Sequence, residues 1–218
     1  MIDLLAITAH PDDAEIGVGG ILLKAKRQGL KTGVIICTRG EHGGLASMAT
    51  RIQEAAHGAQ ILGLDYFQQL DFPDAGVEAN AANLARLIPL VRACAPKIVL
   101  TLHPADYHPD HQAVSQLADK AVFMAGLKKH AADDTTWHPQ QSFYFSLDQR
   151  TNPRRPDLIV DISEVWAEKK KALDAHVSQT ITAPVEIWAQ ALGMLGNCAY
   201  GEGLYSKQPL KITALERL

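Results

Sequence analysis

Two short stretches of the chain concentrate groups that bind metal ions or move protons: His10-Pro11-Asp12-Asp13 and His108-Pro109-Asp110-His111. Two imidazoles and one carboxylate around a divalent zinc ion, with one position open for water, form a common catalytic arrangement. Neighbouring carboxylates at positions 12 and 13 cannot easily both reach one ion from a strand end, so one serves as ligand and the other stays free beside the water. That division supplies a Lewis acid and a general base. Either loop alone reads equally well as punctuation, proline fixing a turn and aspartate capping the next helix. Two such loops at equivalent places in the topology favour the metal site.

The elements on either side must position these groups. Ile2 to Thr8 is a short apolar run of strand character, and from about Ile16 to Gln28 apolar positions recur at helical spacing. Thr32 to Thr38 reads as a buried second strand, followed by the glycine-rich loop Arg39-Gly40-Glu41-His42-Gly43-Gly44. Helices are expected over 48–62, ending at Gly63, and over 79–94, where Pro89 should kink or shorten the element. Lys97 to Leu102 is another buried strand, running into the second histidine loop, after which Gln112 to Met124 is helical. Ser142 to Leu147 and Leu158 to Asp161 read as later strands. Ser163 caps a helix reaching Ala175, and Pro184 opens one that runs to about Leu195. This alternation predicts one α/β domain over residues 1–218, with a Rossmann-like, doubly wound, mostly parallel sheet flanked by helices. Both histidine loops then sit at carboxyl strand ends, the edge where such sheets bind ligands.

With 218 residues, 47% of them hydrophobic and 21% charged, the chain is long and apolar enough for a single core. Its net charge of -3 and scattered basic residues, apart from Lys169-Lys170-Lys171, leave no stripe for nucleic acid. Asp3 stands where a signal peptide would be basic, and no apolar run approaches membrane-spanning length, so no membrane partner is expected. Cys37, Cys94 and Cys198 are odd in number and far apart, which fits neither a disulfide framework nor a cysteine-rich zinc site and points to a reducing, cytoplasmic setting. Gly17-Val18-Gly19-Gly20 is not a dinucleotide loop, because Leu22 occupies the third glycine position and the second strand ends without the acid that binds ribose. Gly-x-Ser-x-Gly is absent as well.

In order along the chain, Ala9-His10-Pro11-Asp12-Asp13-Ala14-Glu15, Gly19-Gly20, Thr38-Arg39-Gly40-Glu41, Arg51-Ile52-Gln53-Glu54-Ala55 and His108-Pro109-Asp110-His111 together resemble the LmbE-like (PIG-L) zinc deacetylases. His176-Val177-Ser178-Gln179 and Gly201-Glu202-Gly203-Leu204-Tyr205 extend the resemblance over nearly the whole chain, and the compact length is most similar to the bacillithiol-biosynthesis members. Carried over by position, it implies that His10, Asp13 and His111 bind Zn2+ and that Asp12 is the general base. It implies further that His108 polarises the substrate carbonyl or acts as acid, that Asp110 orients and charges His108, and that Arg51 contacts substrate. The implied reaction is removal of the acetyl group from a small amino-sugar conjugate, with N-acetylglucosaminyl-malate preferred over inositol-linked or oligosaccharide substrates. A homo-oligomer, trimeric or hexameric, is also implied. Fe2+ or Co2+ suits the same mixed nitrogen and oxygen donors.

Other positions carry weaker signals. Arg51 and Glu54 have the i, i+3 spacing of a surface ion pair. Glu15 either orients a ligand or complements the helix dipole. His176 lines the pocket or hydrogen-bonds at a helix end, and Glu202 and Tyr205 reach sugar hydroxyls or anchor their own loop. Leu204 stands where relatives often place an aromatic residue, which leaves the aglycone open. A non-catalytic metal- or sugar-binding protein on the same scaffold is the competing reading, opposed by the presence of Asp12 and His108 beside the ligands.

Overall fold

The computed structural model describes residues 1–128, 136–148 and 154–209. A sheet of seven strands runs in the order β3-β2-β1-β4-β5-β7-β6. Its strands are β1 (Leu4–Thr8), β2 (Thr32–Thr38), β3 (Tyr66–Phe72), β4 (Ile98–Leu102), β5 (Gln141–Phe145), β6 (Leu158–Asp161) and β7 (Gly201–Ser206). The helices are α1 (Asp13–Arg27), α2 (Met48–Leu62), α3 (Ala81–Cys94), α4 (Pro109–Ala125), α5 (Trp166–Asp174) and α6 (Thr182–Gly196). From β3 to β5 all neighbours are parallel, whereas β7 lies antiparallel to both β5 and β6. The interior strands β1 and β2 are buried along their whole length, as apolar strands covered on both faces must be.

The chain starts in the middle of this sheet. From β1 it winds outward through β2 and β3, then returns to the other side of β1 as β4, with Leu4 opposite Thr32 on one side and Ile98 on the other. The winding direction therefore reverses between β1 and β4. At that reversal the loops leaving the two carboxyl ends diverge and open a crevice. Both histidine loops occupy it.

Local chemistry sets the helix starts. Ser47 caps α2 by accepting from the Thr50 amide, Asn80 caps α3 through Asn83, and α2 ends on Gly63 in the left-handed conformation. α4 begins with Pro109, whose missing N–H costs nothing in the first turn. Pro89 leaves α3 continuous to Cys94, against the expected shortening. The strands β3 and β7 were not expected from the sequence.

α1 has an unusual anchor. Midway along it the Gly20 and Ile21 amides donate to the Glu202 carboxylate, both at 2.7 Å, while the Ile16 carbonyl accepts from Lys169 Nζ at 2.8 Å. Lys169 and Glu202 themselves pair at 2.6 Å. The glycines of α1 admit other close neighbours: a side chain on Gly20 would meet Ile162 at 2.7 Å and one on Gly17 would meet Phe145 at 2.2 Å.

Candidate active site

β1 and β4 deliver His10, Asp13 and His111 to one point. Asp13, in the first turn of α1, accepts from the Ala9 and His10 amides at 3.0 and 2.8 Å, which fixes its rotamer. His10 Nδ1 lies 3.2 Å from His111 Nε2 and 3.7 Å from Asp13 Oδ2, and His111 Nε2 lies 3.5 Å from Asp13 Oδ1. Ligands about 2.0–2.2 Å from a tetrahedral ion stand roughly 3.3–3.6 Å apart. The ring nitrogens of His10, His108 and His111 also come within 4.8 Å of one another.

The outward side of each ring faces carboxylates. His10 Nε2 is 3.2 Å from both Asp74 and Asp110, and His111 Nδ1 is 3.1 Å from Asp106. A neutral imidazole that gives its single N–H to an outer carboxylate turns a lone pair inward. Two such lone pairs and the Asp13 carboxylate converge with no donor among them, which is a cation's environment. The surrounding charges make the same demand: burial opposes a charge on His10, yet Asp110, Asp13 and Asp74 hold its protonated form up to about 12. Burial likewise opposes charge on His111, and Asp13 and Asp106 raise it to about 9. Asp13, despite its burial, is held well below the usual carboxylate range by His111 and His10.

Asp12 stands beside this cluster in a left-handed backbone conformation, φ 98°, with its carboxylate accepting from Arg51 Nη1 at 3.3 Å. Burial first and the neighbouring Asp13 second push its pKa up to about 6, against the pull of Arg51. His108 caps α4 by accepting the Asp110 amide on Nδ1 at 3.2 Å, so in the neutral ring the proton resides on Nε2. It stacks on His111 at 4.6 Å, and burial, His111 and His10 lower its pKa.

Asp110 faces two of the rings: its carboxylate accepts from the Ala75 and Val77 amides and lies 3.2 Å from His10, its backbone amide donates to His108 Nδ1, and its charge opposes the lowering of the His108 pKa. Two of the carboxylates behind the ligands, Asp74 and Asp106, were missed in the sequence. Asp106 lies two residues before His108 in the same loop, and Asp74 follows the carboxyl end of β3.

The cluster floors a cavity of about 430 Å³. Its walls include Tyr107, Leu147 and, from the start of α6, Ile181, Val185 and Trp188, so a polar floor meets an apolar and aromatic side. Arg51 lines it but is buried, and Glu54 turns away to accept from Ser178, so the two form no surface ion pair. His176 and Glu202, expected to bind substrate, are absent from this lining. His176 is buried 3.5 Å from Glu15, and the Glu202 carboxylate is consumed by Lys169 and α1. Tyr205 is likewise buried, edge-on to His103.

Comparison with known proteins places this geometry. Diacetylchitobiose deacetylase of Thermococcus kodakarensis is 29% identical over 92% of this chain and 81% of its own length. 4-Oxalmesaconate hydratase of Pseudomonas putida is 26% identical over 94% and 89%. The solved structure of the conserved protein TT1542 from Thermus thermophilus matches with a TM-score of 0.90 at 33% identity, covering 98% of each chain. Residues 5–122, more than half of the chain and the stretch that carries every member of the histidine cluster, match the family described as GlcNAc-PI de-N-acetylase, and the chain belongs to that PIG-L family.

Proposed function

We propose that the protein is a metal-dependent hydrolase that removes the acetyl group from an N-acetylglucosamine conjugate. The observation that carries this reading is the convergence of His10, Asp13 and His111 on one point in the cavity floor, with the Asp12 carboxylate beside it. The donor set fits Zn2+, and Fe2+ or Co2+ after it. When bound, the ion supplies Lewis acidity and makes a water easier to deprotonate.

Asp12 takes the proton of the water that attacks the acetamide carbon. His108, with Nδ1 occupied by the Asp110 amide, offers its Nε2 proton to the carbonyl oxygen as charge gathers there. The carbon–nitrogen bond then breaks, the proton held by Asp12 passes to the leaving nitrogen, and acetate and a free amine result.

For the aglycone the lining offers two kinds of handle. Arg51 offers a guanidinium and His42 a ring N–H to the carboxylates of the malate-linked conjugate, the finer reading from the sequence. Tyr107 and Trp188 offer faces for a neutral second sugar, as in the substrate named for the Thermococcus relative. The test is amine release by the zinc-loaded protein from N-acetylglucosaminyl-malate, N,N'-diacetylchitobiose and an inositol conjugate in parallel. Preference for the first supports the malate reading, and preference for the second replaces it. Release from none of them, with hydration of 4-oxalmesaconate instead, would move the protein to the chemistry of its hydratase relative. The expected oligomer has a surface to form on, since Ile187, Met194 and Leu195 of α6 are exposed; light scattering on the purified protein measures it.

A further inference from the structure

We propose that Trp188 is the stop that fixes how long an aglycone the cavity accepts, which limits the conjugate to one sugar beyond the reacting one; this rests on the reading above that lays a second sugar against Trp188. The apolar side of the cavity continues past the cavity itself. Along α6, Ile181, Pro184, Val185 and Trp188 face the cavity at the i, i+3, i+4, i+7 spacing of one helix face. The same face runs on through Ala189 and Leu192 into a second, smaller chamber. On α1, Ile16 borders both spaces and Gly17 the chamber; after β5, Leu147 borders the cavity and Ser146 the chamber. Three elements therefore carry one groove away from the histidine cluster. The residues that border both of its parts are Ile16, Val185 and Trp188, and the indole is the bulkiest group of that partition.

As it stands the chamber takes no part of a substrate. Its volume is about 20 Å³, room for about one water molecule. Its polar end is the Lys169–Glu202 pair, whose groups are held by each other and by the backbone of α1, so no unpaired charge there greets an anion. Gly17, Gly201, Gly203, Ala189 and Leu192 supply small or apolar surface. Loss of the indole joins this space to the cavity, and the lengthened groove suits a further neutral sugar and offers nothing to a carboxylate. Trp188 stands on α6, half-buried, away from the loops that carry the histidine cluster, so its removal changes the reach of the groove and leaves the converging groups in place.

The test compares kcat/KM for N,N',N''-triacetylchitotriose with that for N,N'-diacetylchitobiose in the zinc-loaded parent and in Trp188→Ala. The ratio of the longer to the shorter substrate should rise about 10-fold in the variant, with Trp188→Phe between the two, and kcat/KM for the malate conjugate should not rise. A crystal of Trp188→Ala soaked with the trisaccharide should show its third sugar between Ile16 and Gly203. An unchanged ratio, or a variant crystal in which α6 has closed the gap, overturns the proposal. Trp188→Leu carries the same readouts if Trp188→Ala does not fold. If the parent releases amine from neither saccharide, that failure belongs to the substrate reading above; calorimetric binding of the two saccharides to zinc-loaded parent and variant then decides the role of Trp188 by the same ratio.

Discussion

Two of the places where the molecule buries charge are built on opposite plans. At the Lys169–Glu202 pair, the carboxylate takes two helix amides and an ammonium, and the ammonium takes a helix carbonyl, so the strong partners all lie within the chain. At the histidine cluster, Asp74 and Asp110 stand behind His10 and Asp106 behind His111, while the inner ring edges and Asp13 converge at the floor of an open cavity. The first arrangement is closed and fastens α1 to β7. The second is left open toward the cavity, and the proposed metal ion would complete it. Burial of charge alone therefore does not mark a functional site; burial with donors and acceptors mismatched toward a cavity does.

The largest expected effect follows from removing a converging group. Asp13→Ala or His111→Ala should lose stoichiometric zinc and all measurable amine release, and zinc content by elemental analysis checks it. Normal zinc in both variants would dissolve the contrast. Asp12→Asn should keep its zinc and lose about 10²–10⁴-fold in turnover, which amine release at saturating substrate measures. Lys169→Met should leave an unpaired carboxylate in the closed arrangement and cost about 3–5 kcal/mol of stability in urea unfolding, with zinc binding intact below the transition. If it instead abolished metal binding at full stability, the two regions would not be independent. The mildest change is Asp106→Asn, which keeps every proposed ligand and alters the group that stands behind His111 and accepts the His108 amide; metal affinity in a chelator competition should drop about 10–100-fold.

Much of this is legible in the sequence because the decisive signals are local. Apolar patterning and end signals alone bound β2, α2 and β6, and they place the two loops rich in histidine and aspartate at carboxyl strand ends. What escapes is set by distant partners. β3 is a partly exposed edge strand whose Gln68, Gln69 and Asp71 break the apolar run, and with it goes Asp74, which only that strand carries to His10. β7, Gly201–Ser206, is glycine-rich and gains its strand character from antiparallel neighbours. Glu202 looks like a sugar ligand because an acid near a family motif invites that reading; its true partner, the lysine at 169, sits in what reads as a surface basic cluster. Of the Gly17-Val18-Gly19-Gly20 run, rejected as a nucleotide loop, Gly20 gives its amide to this anchor and Gly17 makes room for Phe145.

The order of these groups along the chain has a consequence for how the protein is made. The converging groups and the carboxylates behind them all lie between His10 and His111, on loops of strands that form the first half of the sheet, whereas Leu147, Ile181, Val185 and Trp188 of the cavity wall come later. A ribosome that has released the first 125 or so residues has already delivered every group of the proposed metal site, and capture of an ion there would tie together positions about 100 residues apart, removing loop-closure entropy worth a few kcal/mol from what remains unfolded. The apolar side of the cavity formed by Leu147, Ile181, Val185 and Trp188 is added afterwards, so those residues are free to change over generations without disturbing the part of the nascent chain that an ion at the proposed site would already have pinned.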